Sequence, residues 1–141
     1  MVTKVVVDSS VILKWLYREN EANLDVADAL LKSSWGGKVI LLAPELAKYE
    51  AGNVLLTAKK LTVEQGKEAM EVLYALPIRF IPESEPIAKE TFVLGVQGGV
   101  TYYDVSFAAL AKQEDAVLVT ANPKHQTKIQ GVKVVALEEY K

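Results

Sequence analysis

The stretch that decides the fold is VVVDSSVILKW at residues 5–15. Its three consecutive valines predict a short strand buried on both faces, because the run leaves no polar position to face solvent. Asp8 follows directly at the carboxyl end of that strand. A helix is predicted over Val11–Tyr17, with Ser9 or Ser10 as its N-cap. The chain therefore opens with a strand–helix unit that places a carboxylate at the turn.

The same alternation of apolar runs and amphipathic segments continues to the end of the chain. Further strands are predicted at 39–42, 79–81, 116–119 and 132–136, and helices at 21–34, 44–60, 62–76, 85–97 and 102–114, with a short helix after Asn122-Pro123. This order predicts an α/β fold, a single domain over residues 1–141 with a central parallel sheet of about five strands and helices on both faces.

Several helix ends carry local signals. Pro44 stands at the favoured first position of its helix, and Thr62 and Gln65 have the spacing of a capping box. Glycine pairs at 36–37 and 98–99 end two other helices.

Composition excludes several classes of protein. Of the 141 residues, 50% are apolar and 24% charged, as in an ordinary globular domain rather than a disordered chain. The net charge of −2 argues against a polybasic coat for nucleic acid. It does not argue against an enzyme that meets RNA through a metal ion.

The sequence contains no cysteine, which excludes a disulfide scaffold, thiolate zinc and a cysteine nucleophile. The N-terminus does not have the shape of a signal peptide. The longest uncharged stretch, 91–103, is too short to span a membrane. We therefore expect a cytoplasmic protein.

Polar residues that follow the strands are the candidates for a site, because ligands bind outside the carboxyl ends of parallel strands. Asp8 is one of them, although an aspartate there is also a common helix cap. Asp104 is a second acidic candidate, in the first turn of the helix predicted at 102–114, and Thr101 three residues earlier gives a capping-box spacing. Its helical face also carries Phe107, Ala108 and Ala111, so we expect it to face inward. The carboxylate of Asp104 can accept a hydrogen bond from a backbone N–H as a helix cap and still bind a cation, so the two roles are compatible.

Glu50 is the third acidic candidate. On a helical projection Leu46, Asn53, Val54 and Thr57 share its face, whereas Lys48, Gly52, Leu55 and Lys59 lie opposite. We therefore expect Glu50 and Asn53 to look inward, where a carboxylate needs a partner or a metal. Glu45 lies in the first turn, where the helix dipole explains it.

Three carboxylates at one sheet edge repel one another and raise one another's pKa values. A hard divalent cation resolves that conflict, and oxygen-only ligands select Mg²⁺ or Mn²⁺ over zinc. Such a cation activates water and stabilises charge on a phosphoryl oxygen, which suits phosphodiester hydrolysis. The sequence thus predicts a metal site made by Asp8, Asp104 and, directly or through water, Glu50.

Three stretches resemble PIN domains, and among these the VapC toxins of prokaryotic toxin–antitoxin pairs. They are VVVDSSVILKW at 5–15, PELAKYEAGNVL at 44–55 and TYYDVSFAALA at 101–111. The resemblance covers essentially the whole chain. It implies a metal-dependent endoribonuclease, a homodimer and a cognate VapB-like antitoxin.

The resemblance also assigns site residues. The family's acids correspond to Asp8, Glu50 and Asp104, and small hydroxyl positions near such sites correspond to Ser9 and Thr120. Asn122 stands where the family has an aspartate. An amide brings no charge, so one cation is expected and a second is in doubt.

Basic residues are candidates for RNA contact. Lys14, Lys124 and Lys128 could meet flanking phosphates, and a solvated face is the alternative for each. The single histidine, His125, is expected to be an exposed loop residue. The candidates for an apolar surface that binds a partner protein are Trp15, Tyr17, Leu55 and Leu56.

Competing functions fit less well. A haloacid-dehalogenase-like phosphatase needs a second aspartate at the position of Ser10. A receiver-like domain needs an aspartate after the strand at 79–81, and none is there. The remaining alternative is a catalytically weak or inactive PIN-fold module that binds RNA or protein.

Overall fold

The computed structural model describes residues 2–125 and 129–141 of the chain, without the side chain of His125. Five strands form one sheet in which every neighbouring pair is parallel. The strands are β1 (Thr3–Val7), β2 (Val39–Pro44), β3 (Ile78–Ile81), β4 (Val117–Thr120) and β5 (Val134–Ala136). Six helices connect them: α1 (Ser9–Leu16), α2 (Leu24–Trp35), α3 (Leu46–Thr57), α4 (Val63–Ala75), α5 (Glu85–Gly98) and α6 (Tyr102–Gln113). Short 3₁₀ turns lie at Pro123–His125 and Leu137–Glu139.

The strand order is β3-β2-β1-β4-β5, so β1 is the central strand. The chain moves outward from β1 to β3 on one side and then returns to place β4 on the other side. The order of strands therefore reverses between β1 and β4, and open α/β sheets bind ligands at such a point. Asp8 leaves the sheet there, and its backbone N–H donates to the carbonyl of Val119 on β4 at 3.2 Å.

Burial of the central strand confirms the α/β prediction. Val5, Val6 and Val7 are all 0% exposed although successive side chains of a strand point to opposite faces. Helices must therefore cover both faces of the sheet at β1. The core continues into α6, where Phe107, Ala108 and Ala111 are buried as their helical spacing predicts.

The structure confirms most predicted helix ends and corrects two. Thr62 and Gln65 form a complete capping box, and Gly99 ends α5 with a φ of 63°. The N-cap of α1 is Asp8 rather than a serine, because its carboxylate accepts from the N–H of Ser10 at 3.0 Å. Pro44 ends β2 instead of beginning α3: parallel pairing with Ile81 holds it in the sheet.

The buried face of α3 also differs from the prediction. Ala47, Ala51 and Leu55 are buried, whereas Asn53 is exposed and Glu50 is half-buried. Two alanines at a four-residue spacing let the helix pack closely along that stripe, and Glu50 lies at its border. The prediction that Asn53 looks inward and Leu55 outward was wrong.

The proposed partner surface needs the same correction. Leu55 is 3% exposed and Trp15 is 6% exposed, and the indole N–H of Trp15 donates to the carbonyl of Ala27. Leu56, by contrast, is 80% exposed. Within the described ranges, no helix has the length and apolar character needed to cross a bilayer.

Candidate metal centre at the carboxyl edge of the sheet

Asp8 is the buried carboxylate of the candidate site. It is 7% exposed, and its two oxygens accept hydrogen bonds from neutral groups. The N–H and the hydroxyl of Ser10 donate to Oδ1, and the hydroxyl of Thr120 donates to Oδ2. Burial raises the pKa of Asp8 above its ordinary value, and the hydrogen bonds from Ser10 and Thr120 oppose that rise.

Two strand ends hold this carboxylate in place. Thr120, the last residue of β4, also accepts from the N–H of Asn122 at 2.9 Å. The hydroxyl of Ser10 accepts from the N–H of Ala121 at 3.0 Å. The turns after β1 and β4 are thus joined through hydroxyl groups, and Asp8 lies between them.

Glu50 reaches the same site from α3. Its carboxylate accepts from the hydroxyl of Ser9 at 3.1 Å, which links the middle of α3 to the first turn of α1. Burial raises the pKa of Glu50, and repulsion from Asp104 and from Asp8 raises it further, while the hydrogen bond from Ser9 opposes the rise. Glu50 is therefore within electrostatic reach of both other predicted acids.

Asp104 lies in the first turn of α6. Its backbone N–H donates to the hydroxyl of Thr101, the N-cap of that helix, at 3.2 Å. The carboxylate is half-buried and accepts no hydrogen bond from any described residue. The predicted cap thus uses the backbone of Asp104 and leaves its side chain to face the site.

The chemistry of the three acids fits a divalent cation. Asp8, Glu50 and Asp104 take part in none of the ion pairs formed by the described residues. Buried carboxylates are normally paired or bound to metal, and oxygen donors of this kind suit Mg²⁺ or Mn²⁺. The same part of the chain contains no three acidic or imidazole side chains already close enough to share one ion. Direct binding of one cation by all three acids would therefore require their side chains to move closer together.

A polar groove of about 290 Å³ runs from this site along α1. Its lining includes Ser10 and Asn122 at one end and Lys14, Tyr17 and Lys59 further away. We call it the Lys14 groove. The ammonium of Lys59 lies 4.9 Å from the centre of the Tyr17 ring.

The basic residues predicted to contact RNA differ in their exposure and partners. Lys14 is 7% exposed, and its ammonium donates to Glu21 at 3.0 Å and to the carbonyl of Ala22 at 2.8 Å, so it does not lie on a solvated face. Lys124 is exposed just beyond β4. Lys128 and the side chain of His125 lie outside the described residues.

Sequence reasoning missed two members of the site. Ser10 was considered only as a cap, although its hydroxyl is both a donor to Asp8 and an acceptor for Ala121. Lys59 was placed on the far side of α3, yet it lies just after that helix and lines the groove. The pair of hydroxyl residues directly after Asp8 was the available signal for Ser10.

Comparison with known proteins identifies the family. A PIN domain model matches residues 5–130. The chain belongs to the PIN domain family. This confirms the resemblance of the three sequence stretches and the predicted α/β fold. No curated protein sequence matches the chain significantly.

Solved structures that are similar to this chain include VapC toxins and VapBC complexes. PAE2754 from Pyrobaculum aerophilum is 26% identical, with a TM-score of 0.63 over 98% of this chain and 93% of that one. VapBC2 from Rickettsia felis, bound to a promoter DNA fragment, is 16% identical with a TM-score of 0.72, covering 95% and 98%. VapC20 from Mycobacterium tuberculosis, a sarcin–ricin loop cleaving toxin, is 12% identical with a TM-score of 0.65, covering 92% and 98%. The PIN domain described here thus has the fold of nuclease toxins.

We expect Glu50→Gln to stabilise the protein at pH 7. The raised pKa of Glu50 means that ionisation costs more in the folded state than in the unfolded state. Replacing the acid should raise Tm by about 2 °C, the effect of somewhat less than ~1 kcal/mol after solvent screening at a half-buried group. The difference should vanish as the pH falls below the ordinary value of 4.5. Thermal unfolding from pH 3 to pH 8 measures it.

The exposed Glu68 on α4 provides the matched control, and Glu68→Gln should leave Tm unchanged at every pH. A lower Tm for Glu50→Gln than for wild type at pH 7 would contradict the repulsion at this site.

Thr120→Val should destabilise the fold by about 1–3 kcal/mol, because it removes a donor from a buried carboxylate and an acceptor from Asn122. Thr91→Val is the matched control. Thr91 is equally buried, but its hydroxyl donates to the helix carbonyl of Ile87 and contacts no carboxylate. Urea unfolding of both variants should show the larger loss for Thr120→Val, and equal losses would count against a special role for Thr120.

Proposed function

We propose that this PIN domain is an Mg²⁺- or Mn²⁺-dependent endoribonuclease that hydrolyses RNA phosphodiester bonds. The observation that carries the proposal is that Glu50 lies within electrostatic reach of both Asp8 and Asp104 at the reversal point of a parallel sheet. None of these three carboxylates forms an ion pair with another described residue. The toxin fold of the solved VapC structures supports the same conclusion.

Asp8 and Asp104 would hold the cation, and Glu50 would complete the site directly or through a water molecule. When bound, the cation lowers the pKa of a coordinated water and offsets charge on a phosphoryl oxygen. Ser10 and Thr120 fix the orientation of the Asp8 carboxylate, and Ser9 fixes that of Glu50. The first turn of α6, capped by Thr101, positions Asp104.

Asn122 limits the charge of the site. Its backbone bonds to Thr120, and its amide side chain lies at the mouth of the Lys14 groove. A carboxylate there would add a fourth negative charge for a second cation. With an amide, the acids present suit a single cation, and Asn122 can contribute a hydrogen bond to a bound water.

The Lys14 groove is the path we propose for the RNA strand beside the site. Lys59 and the Tyr17 ring offer a cation and an aromatic face along it. Lys14 is already paired with Glu21, so a phosphate would have to compete with that carboxylate. Lys124 is exposed near Asn122 and needs no such exchange.

We expect Asp8→Asn and Asp104→Asn each to reduce RNA cleavage by at least about 100-fold, since even residues that only support metal ligands cost 10–100-fold. Cleavage of a labelled RNA by wild type should stop with EDTA and return with Mn²⁺. In a separate binding assay, calorimetric titration with Mn²⁺ should lose its signal in both variants.

Asp25→Asn, on the exposed side of α2, is the matched control and should retain activity and Mn²⁺ binding. RNA cleavage that survives EDTA, or that is the same in Asp8→Asn as in wild type, would contradict the proposal.

We further propose that the chain is the toxin of a VapBC-type pair, acting in the cytoplasm against RNA. An apolar groove of about 660 Å³ between α3 and α4, lined by Leu56, Leu61, Val63 and Met70, offers room for a segment of a VapB-like antitoxin. This groove and Asn122 also favour the second candidate function, an inactive module that binds RNA or protein. Retention of RNA or antitoxin without metal-dependent cleavage would identify that module.

We infer that two copies of the chain form a homodimer. Phe92 and Val96, four residues apart on α5, are 66% and 72% exposed, and Val93 beside them is 48% exposed. Phe92 and Val96 share one helical face. Large apolar side chains in such numbers are typical of surfaces that meet a partner.

Phe92→Asp should therefore convert a dimer into a monomer in sedimentation velocity experiments, because it places a charge on the face that we expect to be covered. Tyr74→Asp is the control, since Tyr74 on α4 is 70% exposed but lies on another helix. A wild-type chain that sediments as a monomer at micromolar concentration would refute the inference.

A further inference from the structure

A further pocket lies at the first turn of α6, the turn that carries Asp104, and is used by none of the steps above. It has a volume of about 290 Å³ and lies between the beginnings of α3, α5 and α6. Leu46 and Ile87 form part of its apolar wall, and Tyr102, Tyr103 and Glu83 are its polar members. We call it the Tyr103 pocket. Its volume is at the lower end of the range for small-molecule sites, which suits one planar ring system.

The pocket and the candidate metal centre are built on the same two helices. Tyr103 directly precedes Asp104 in the first turn of α6, and Leu46 precedes Glu50 by one turn of α3. We therefore expect an RNA strand whose phosphate lies at Asp104 to run close to this pocket. Tyr103 is 60% exposed there, and Tyr102 is 40% exposed. Exposed aromatic rings are the usual platforms on which unpaired bases stack.

Glu83 places a carboxylate, which accepts hydrogen bonds, at the edge of this pocket. The hydroxyl of Tyr102 donates to its Oε2 at 2.7 Å, which holds the carboxylate at the pocket and leaves Oε1 without a donor among the described residues. Glu45 also lines the pocket but is already paired with Lys48 at 3.0 Å. Glu83 has no cationic partner in the described part of the chain.

A carboxylate only accepts hydrogen bonds, so it prefers a base edge that carries adjacent donors. Guanine presents such an edge, with N1–H next to the N2 amino group. Cytosine and adenine each place a ring acceptor beside their single amino group, and uracil places its N–H between two carbonyls. Resting on the proposed ribonuclease function, we propose that the Tyr103 pocket binds an unpaired guanine base of the substrate, with Glu83 reading its Watson–Crick edge.

Binding of short RNAs tests this assignment without cleavage. The probes are labelled octaadenylates that carry one central guanosine, inosine or 7-deazaguanosine, measured by fluorescence anisotropy in EDTA. Inosine lacks the N2 amino group, whereas 7-deazaguanosine keeps both donors. Wild type should bind the guanosine and 7-deazaguanosine probes about tenfold more tightly than the inosine probe, as expected for the loss of one bond of a bidentate pair.

Glu83→Gln should abolish this preference, because an amide cannot accept both hydrogen bonds. Glu85→Gln is the matched control: it removes the same charge two residues away, at an exposed position paired with Lys89, and should retain the preference. Tyr103→Ala should weaken binding of all three probes to a similar extent. Circular dichroism and Tm verify that each variant is folded.

Equal binding of guanosine and inosine by wild type would overturn the assignment, as would a preference that survives Glu83→Gln. A Tyr103→Ala variant that becomes monomeric while its base preference is unchanged would overturn it too, and would identify the pocket as part of an interface. If the protein cleaves RNA in Mn²⁺ but shows no preference for guanosine in binding, the guanine assignment of the Tyr103 pocket is refuted and the proposed nuclease function is not. Guanosine-dependent binding without any metal-dependent cleavage refutes the nuclease and retains the pocket.

Discussion

A carboxylate buried at the end of the central strand is the constraint on which the site depends. Asp8 is placed among fully buried valines, in a position where an isolated charge is costly. The fold offsets that cost with two hydroxyl groups and a backbone N–H, all of them neutral. No basic side chain of the described residues pairs with Asp8, so its negative charge is not neutralised within that part of the chain. The burial that makes the charge of Asp8 costly also keeps competing water away from its carboxylate.

Much of the fold could be predicted from the sequence because its local signals agree with one another. The run of valines, the alternation of strands and helices, and the capping residues Thr62 and Thr101 all favour the same parallel sheet. Errors occurred where tertiary contacts override a local preference. Pro44 is a good first residue for a helix, but pairing with Ile81 keeps it in β2. Trp15 could be taken for a surface residue until the carbonyl of Ala27 provides its hydrogen bond.

Asp8 could be proposed for the candidate site because it follows a strand end, and Glu50 and Asp104 because each shares a helix face with apolar residues. The resemblance also named Ser9 and Thr120, but their hydrogen-bond partners could not be predicted, since those contacts depend on long-range geometry. The bond from Thr120 to Asp8 joins residues 112 positions apart, and no periodicity reports it. The ion pair of Lys14 with Glu21 depends on the path of the loop between α1 and α2. The orientation of α3 was missed because a projection that begins from Glu50 assumes that the acid lies at the centre of the buried face rather than at its border.

The strand order has a consequence for how the protein is made. A ribosome delivers β1, β2 and β3 first, and these can pair while one edge of β1 stays open. Thr120, whose hydroxyl donates to Asp8, is synthesised 112 residues after it. A nascent or truncated chain without β4 therefore lacks the hydrogen bond from Thr120 that holds the carboxylate of Asp8. The candidate site is therefore assembled only after strands on both sides of β1 have been synthesised.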